Sequence, residues 1–445
     1  MTQDLAQALL DAARKAGADA ADALVIDGTA VSIDVREGRL EHAERAEGLD
    51  IGLRVLVGRR QACVSSSDAK PATLAMMAER AVAMAKEAPE DPYAGLADPD
   101  QLSARRDAEG LELVDLSPEP EPAELEEDAR RAEAAARGVA GISQIDQTGA
   151  SYSRRTIHLA ASNGFAGGYA RTSRNTSCVA ITGEGTGMER DWASESRIFQ
   201  ADLPSPESIG VEAGERAAAR KGSRKPPSGS FPVLYDERIS ASLIGHLTSA
   251  INGTSISRGA SWLRDAMGKA VLPAGFTLTE DPLRIRIAGT RPFDAEGLPT
   301  GQRALVEDGV LQGWVLDLGT ARKLGLQSTS NATRGPSAPP SPSLSNLTLT
   351  PGAASRADLI RDMGTGLLVT SLIGSTINPT TGDYSRGASG FWVENGQIAY
   401  PVNECTIAGN LRDMLMRMIA ANDARQHLST RVPSLLVEGL TIAGA

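Results

Sequence analysis

The chain has 445 residues, 41% hydrophobic but only 4% aromatic, and carries a formal net charge of −11 with a pI near 5.1. That length exceeds one ordinary core and predicts two or three domains, built mainly on Ala, Leu, Val and Ile. The acidic balance argues against a broad nucleic-acid surface, three cysteines without framework spacing fit a reducing cytoplasm, and no apolar run approaches the roughly 20 residues that span a bilayer.

The opening MTQDLAQALLDAARKAGADA has the pattern of an amphipathic helix of mixed charge and not of a signal peptide. A helix over 5–15 ends at Gly17, and alternating strands follow at Val31-Ile33-Val35 and at Ile51-Leu53-Val55-Val57. A second helix is predicted from Pro71 to about residue 87, after the capping candidates Ser67 and Asp68. Its Leu74, Met77, Ala81 and Met84 form a core-facing stripe. The first domain is therefore placed at 1–115.

The acidic, proline-rich stretch 117–122 reads as a linker. A helix of Ala, Glu and Arg over 123–137 comes next, then strands at 156–160, 168–172 and 177–181 with a hairpin turn at Asn163-Gly164, and a helix over 205–221. This makes a central α/β domain at 123–222, which could instead pack with the first as one N-terminal lobe. The glycine-rich Gly183-Glu184-Gly185-Thr186-Gly187 opens no helix and reads as a turn, not as a phosphate loop. Cys63, Cys178 and Cys405 lie in apolar, strand-like contexts, as small hydrophobes do.

From Phe231 onward the pattern changes to short strands and glycine turns, a β-rich domain at 228–445. Its densest stretch, 374–410, reads GSTINPTTGDYSRGASGFWVENGQIAYPVNECTIAGN, with a tight hairpin predicted at Glu394-Asn395-Gly396-Gln397. Gly382, Gly387 and Gly390 sit among bulky neighbours, where positive φ is expected of glycine. Asp383 and Arg386, three apart, could pair or point at a ligand. The proline- and serine-rich 334–343 reads as a loop, either bordering a cleft or disordered at the surface.

The 374–410 stretch, together with RPFDAEG at 291–297, VEDGVL at 306–311 and LDLGTARK at 316–323, resembles the TldD/PmbA family of peptidases, on the side called PmbA or TldE. The resemblance implies an α+β fold, with N-terminal α/β layers followed by a strand-rich C-terminal domain of the TldD/PmbA type. In that family the TldD kind of subunit carries an HExxxH stretch and a distant cysteine that hold zinc, the glutamate acting as general base. Imidazole and thiolate bind Zn²⁺, and the metal lowers the pKa of its bound water to about 7.

The matching stretch here is 242–261, SLIGHLTSAINGTSISRGAS. Anchored on Gly253 and Ser261-Trp262, it puts Ile244 at the first ligand position, Gly245 at the base and Ser249 at the second ligand. His246 falls between them and reads as a packed or interface histidine. A slipped register that makes His246 the second ligand gives Ala241 and Ser242 as ligand and base. No cysteine follows Cys405, and His42, His158, His246 and His427 form no local metal motif.

The resemblance thus implies a chain with no catalytic or metal residue and no cofactor of its own, paired with a zinc-bearing TldD-type metallopeptidase subunit. Together they would form a cytoplasmic heteromeric peptidase that degrades or processes unfolded and small peptides. Alone, the chain is expected to form a homodimer, because the two subunit types are homologous. Asn378, Asp383, Arg386, Asp294 and Glu296 are the substrate-cleft candidates; neither nucleic acid nor membrane is expected as a partner. A peptidase active by itself, and a regulatory binding protein of the DNA gyrase modulator kind, are the alternatives.

Overall fold

The computed structural model describes residues 1–444. Helix α1 (Thr2–Lys15) leads into a long antiparallel hairpin, β1 (Ala20–Arg36) and β2 (Arg39–Val57), followed by β3 (Arg60–Ser66) and α2 (Pro71–Glu87). After an irregular segment come α3 (Pro122–Arg137), the hairpin β4 (Ile142–Ala161) and β5 (Ala166–Thr182), β6 (Glu189–Arg197) and α4 (Pro206–Ala219). All six strands form one sheet in the order β3-β2-β1-β4-β5-β6. The seam between the two N-terminal stretches is a continuous ladder, β1 against β4, from Asp22 opposite Ala161 to Val35 opposite Thr148. Of the two arrangements open from sequence, the single lobe is the one present.

Period-2 alternation divides this sheet's faces. Ala21, Ala23 and Val25 pack under α1 and α2, whereas Val31, Ile33 and Val35 meet Leu125 and Ala129 of α3 on the same face. In α2 the stripe buries Leu74, Met77 and Ala81, but Met84 is 43% exposed. Asp68 lies ahead of the N-cap, Lys70, where its carboxylate accepts hydrogen bonds from the Lys70 N–H and the Thr73 hydroxyl. The stretch 117–122 is tied down: Pro120 is buried, and Glu119 pairs with Arg45 of β2.

The C-terminal part begins with β7 (Gly229–Tyr235), α5 (Glu237–Ala250) and α6 (Gly253–Ser257). Then follow β8 (Leu278–Glu280), β9 (Arg303–Glu307), β10 (Val310–Leu311), α7 (Leu318–Leu324), β11 (Ala332–Thr333), β12 (Ser341–Pro342) and β13 (Leu347–Leu349). The last elements are α8 (Arg356–Met363), β14 (Gly366–Ile377), β15 (Asp383–Glu394), β16 (Gln397–Asn410), α9 (Leu411–Met416), β17 (Met418–Ala420), β18 (Thr430–Arg431) and β19 (Leu435–Ala443).

Strand β7 runs parallel to β14 and antiparallel to β19, and β19 also pairs with β16. The circuit β7-β14-β15-β16-β19 therefore closes on itself as a small barrel, with β17 attached to β19. Closure pairs the two ends of the circuit, while β14 past Val369 runs on beyond its pairing with β7. A second sheet, β10-β9-β8-β13-β18, stands beside it. One large core joins the two, including Val233 and Tyr235 of β7, Leu243, Ile244 and Leu247 of α5, and Trp392 of β15.

The predicted hairpin forms at Asn395 (φ 52°) and Gly396 (φ 72°), the signature of a two-residue primed turn. The glycine expectation is corrected in part. Gly382 has φ 82°, but Gly387 and Gly390 are not among the positive-φ residues. Gly390 is required by close approach instead: a Cβ there would lie 1.9 Å from the Leu368 carbonyl oxygen of β14.

The 334–343 loop is docked. A Cβ on Gly52 of β2 would meet the Pro336 oxygen at 2.3 Å, and the Arg334 side chain is fully buried against Asp22 of β1. The sheet face opposite the four helices thus packs on the C-terminal domain, with Phe165 and Phe293 in edge-to-face contact across the junction at 5.0 Å.

Candidate functional site

Helix α5 starts at Asp236, whose side chain accepts from the Arg238 N–H as N-cap. Its apolar stripe turns Leu243, Ile244 and Leu247 into the core and leaves Ser249 exposed. Gly245 is half-buried, with open space where a Cβ would stand. Neither Ile244 nor Gly245 has a side-chain donor atom for a metal, so this trio does not fit zinc. Among the described residues no three His, Cys, Asp or Glu side chains converge as a metal site.

Beside the trio lies a compact polar cluster. The His246 ring meets the Tyr384 ring at 5.8 Å and 74°, and its Nε2 is buried without a hydrogen-bond partner. Burial, and then the charge of Arg386, lower the His246 pKa, which favours the neutral ring. The Tyr235 hydroxyl donates to the Tyr384 hydroxyl at 3.4 Å, and burial raises both phenols above their ordinary value. Burial also pushes the Cys405 thiol up to about 11, and its Sγ donates to the Ala388 carbonyl at 3.2 Å. A thiol so held is not a nucleophile.

The five cleft candidates fall in three places. Asn378 and Asp383 belong to one turn: the Asn378 N–H donates to the Asp383 carbonyl, and the Asn378 side chain accepts from the Thr380 and Thr381 N–H groups. The Asp383 carboxylate accepts from the Thr381 hydroxyl at 2.6 Å and from Asn410 at 3.1 Å, which lowers its pKa. Arg386, an odd number of residues along β15, projects to the other face. Its Nε donates to the Gly374 carbonyl at 2.7 Å, so the two do not pair.

Asp294 and Glu296 lie at the seam between the lobes. Asp294 is buried and accepts from the N–H groups of Glu296, Leu298 and Ala332, a loop-building role. Glu296 accepts from the Leu318 N–H at 2.8 Å. Burial, and then the charges of Asp294 and Asp317, raise its pKa. Asp317, within LDLGTARK, and Arg54 were not singled out from sequence. A guanidinium inside the apolar alternation GLRVLV was the available signal, and Arg54 is 3% exposed.

The chain matches, in order, the family models for PmbA/TldA metallopeptidase domain 1 (residues 21–85), central domain (115–221) and C-terminal domain (228–444). It is similar to Metalloprotease PmbA of Escherichia coli O157:H7, 35% identical over 96% of this chain and 92% of the relative. The Metalloprotease PmbA homolog of Haemophilus influenzae is 36% identical over 99% and 96%. Among solved structures, one from Bacteroides thetaiotaomicron, described as a candidate modulator of DNA gyrase, superposes with TM-score 0.90 at 28% identity over 99% and 98%. TldE from Thermococcus kodakarensis superposes with TM-score 0.85 at 20% identity over 99% and 100%, a likeness of fold.

Proposed function

The chain belongs to the PmbA/TldA metallopeptidase family, and from that premise we propose that it is the non-catalytic, PmbA (TldE) type subunit of a heteromeric peptidase. Its partner is a TldD-type chain that brings the zinc and the general base, and its substrates are unfolded and small peptides in the cytoplasm. The observation that carries this reading is the donor-poor surface of α5, where Ile244 is core, Gly245 is bare and Ser249 faces solvent. His246, edge-to-face with Tyr384 and with its pKa lowered by burial, stands off the ligand positions.

On this reading the chain's own residues wall the cleft and hold substrate. Strand β14 pairs with β7 only at Leu367–Val369, so beyond Thr370 one of its edges has no partner strand among the described residues, and Ile373 is 71% exposed there. An extended peptide added to that edge would gain backbone hydrogen bonds without sequence preference. No helix of the described residues is long and apolar enough to cross a membrane.

The test is peptide hydrolysis by the purified chain, by a TldD-type chain with an intact HExxxH, and by the two mixed, with metal analysis of each. Hydrolysis is expected with the mixture, and stoichiometric zinc only with the TldD-type chain. Turnover, or about one tightly held zinc per chain after dialysis, in this chain alone would overturn the reading. Failure to associate at all would favour the regulator alternative.

A further inference from the structure

A cavity of about 450 Å³ opens at the seam between the N-terminal sheet and the C-terminal domain, a volume within the range of small-molecule sites. Its lining is mixed in charge: Glu296, Asp317 and Asp91 stand with Arg54, Arg258 and Lys323. Glu296 is 8% exposed and Asp317 5%. Buried carboxylates are ordinarily paired with a cation, yet among the described residues neither forms an ion pair. Arg54 is committed elsewhere, its Nε donating to Asp22 Oδ2 at 2.6 Å and its Nη1 to Gln61 at 3.3 Å.

Each carboxylate has one oxygen used by the fold and one left over. Glu296 Oε2 accepts from the Leu318 N–H, and Asp317 Oδ1 accepts from the Thr320 N–H at 2.8 Å and the Thr320 hydroxyl at 2.6 Å. Glu296 Oε1 and Asp317 Oδ2 accept no hydrogen bond from the described residues. Two acceptors that open into the cavity without protein donors suit a group that is positively charged and rich in N–H. Arg258 and Lys323, both exposed, line the same space and would meet an anion.

We propose that this cavity binds a free α-amino acid or dipeptide, with its ammonium on Glu296 Oε1 and Asp317 Oδ2 and its carboxylate on Arg258 and Lys323. A bare divalent cation fits less well, since two free oxygens are too few for a hard ion and Arg54 stands in the same wall. The raised proton affinity of Glu296 agrees with a carboxylate that lacks its cation. The site is built from this chain alone and does not draw on the function proposed above.

Isothermal titration calorimetry of the full chain tests it, using alanyl-alanine, its N-acetyl derivative, its C-terminal amide and magnesium chloride. Saturable binding of the dipeptide is expected, lost on N-acetylation and weakened by amidation and by Arg258→Ala. Glu296→Gln keeps an acceptor for the Leu318 N–H and is expected to bind about tenfold more weakly, the loss of one charge-assisted contact. The proposal is overturned by equal binding of the N-acetyl derivative, by unchanged affinity in Glu296→Gln, by saturable heat from magnesium chloride alone, or by no saturable heat from the dipeptide in the millimolar range.

Discussion

Glu296 holds its proton more tightly in the folded chain than in the unfolded one, because burial and two neighbouring carboxylates oppose its ionisation. The resulting stability is fully present below the ordinary glutamate range and is lost as pH rises through the raised native value. Glu296→Gln removes that loss. The melting temperature of the variant relative to wild type is expected to climb between about pH 5 and about pH 9; an offset that stays constant across that interval would refute the assignment. Two glycines of β15 offer a second comparison. Gly390→Ala drives a methyl into the Leu368 carbonyl and is expected to cost about 1–3 kcal/mol or more. Gly387→Ala, with 3.3 Å to the Ile373 oxygen and no positive φ, is expected to cost less than about 1 kcal/mol. Equilibrium unfolding of both variants ranks them, and the reverse order would contradict the packing.

Among elements, α5 invites a direct trial. His246→Ala empties a half-buried ring site without touching a ligand or base, so the reconstituted two-chain peptidase is expected to retain activity within a few fold. Loss of a true general base would typically cost about a hundredfold or more. Turnover that collapses while the complex stays assembled would show that the ring takes part. Such local features were the most legible in the sequence. Pro71 and the stripe behind it marked α2, and Asn395-Gly396 marked the β15–β16 turn, since both signals reside in adjacent residues. The length of β2 was hidden because its arm over 39–48 is exposed on both faces and shows no alternation. The 156–160 reading caught only the apolar end of β4, whose polar remainder begins at Ile142. Barrel closure, and the meeting of Arg54 with Glu296 and Asp317, depend on residues far apart in the chain. No local pattern encodes them.

At the scale of the whole molecule, the docked 334–343 loop is one of several contacts that hold the lobes together, beside the Phe165–Phe293 pair and the Arg425–Glu195 ion pair. Gly52→Val places a Cβ and its two methyl groups where Pro336 sits and is expected to open the loop to proteolysis while both lobes keep their secondary structure. Mass spectrometry of a brief digest is the readout; a loop as resistant as in wild type would mean that the contact is dispensable. Assembly is the larger question. A stable complex with a TldD-type chain, burying at least about 2,000 Å² in total, is expected, with homodimers forming when that partner is absent. Size-exclusion chromatography with light scattering decides: a chain that stays monomeric alone and in the mixture would remove the subunit reading.

The ladder between β1 and β4 also sets a timetable for synthesis. As the chain leaves the ribosome, β1 can pair at once with β2, but its other edge, from Asp22 to Val35, stays unsatisfied until β4 emerges. Strand β7 waits longer, because both of its neighbours, β14 and β19, are translated well after it. Contacts so distant in sequence form slowly, and unpaired edges attract other chains meanwhile. The order of synthesis therefore leaves the edges of β1 and β7 open until β4, β14 and β19 have emerged.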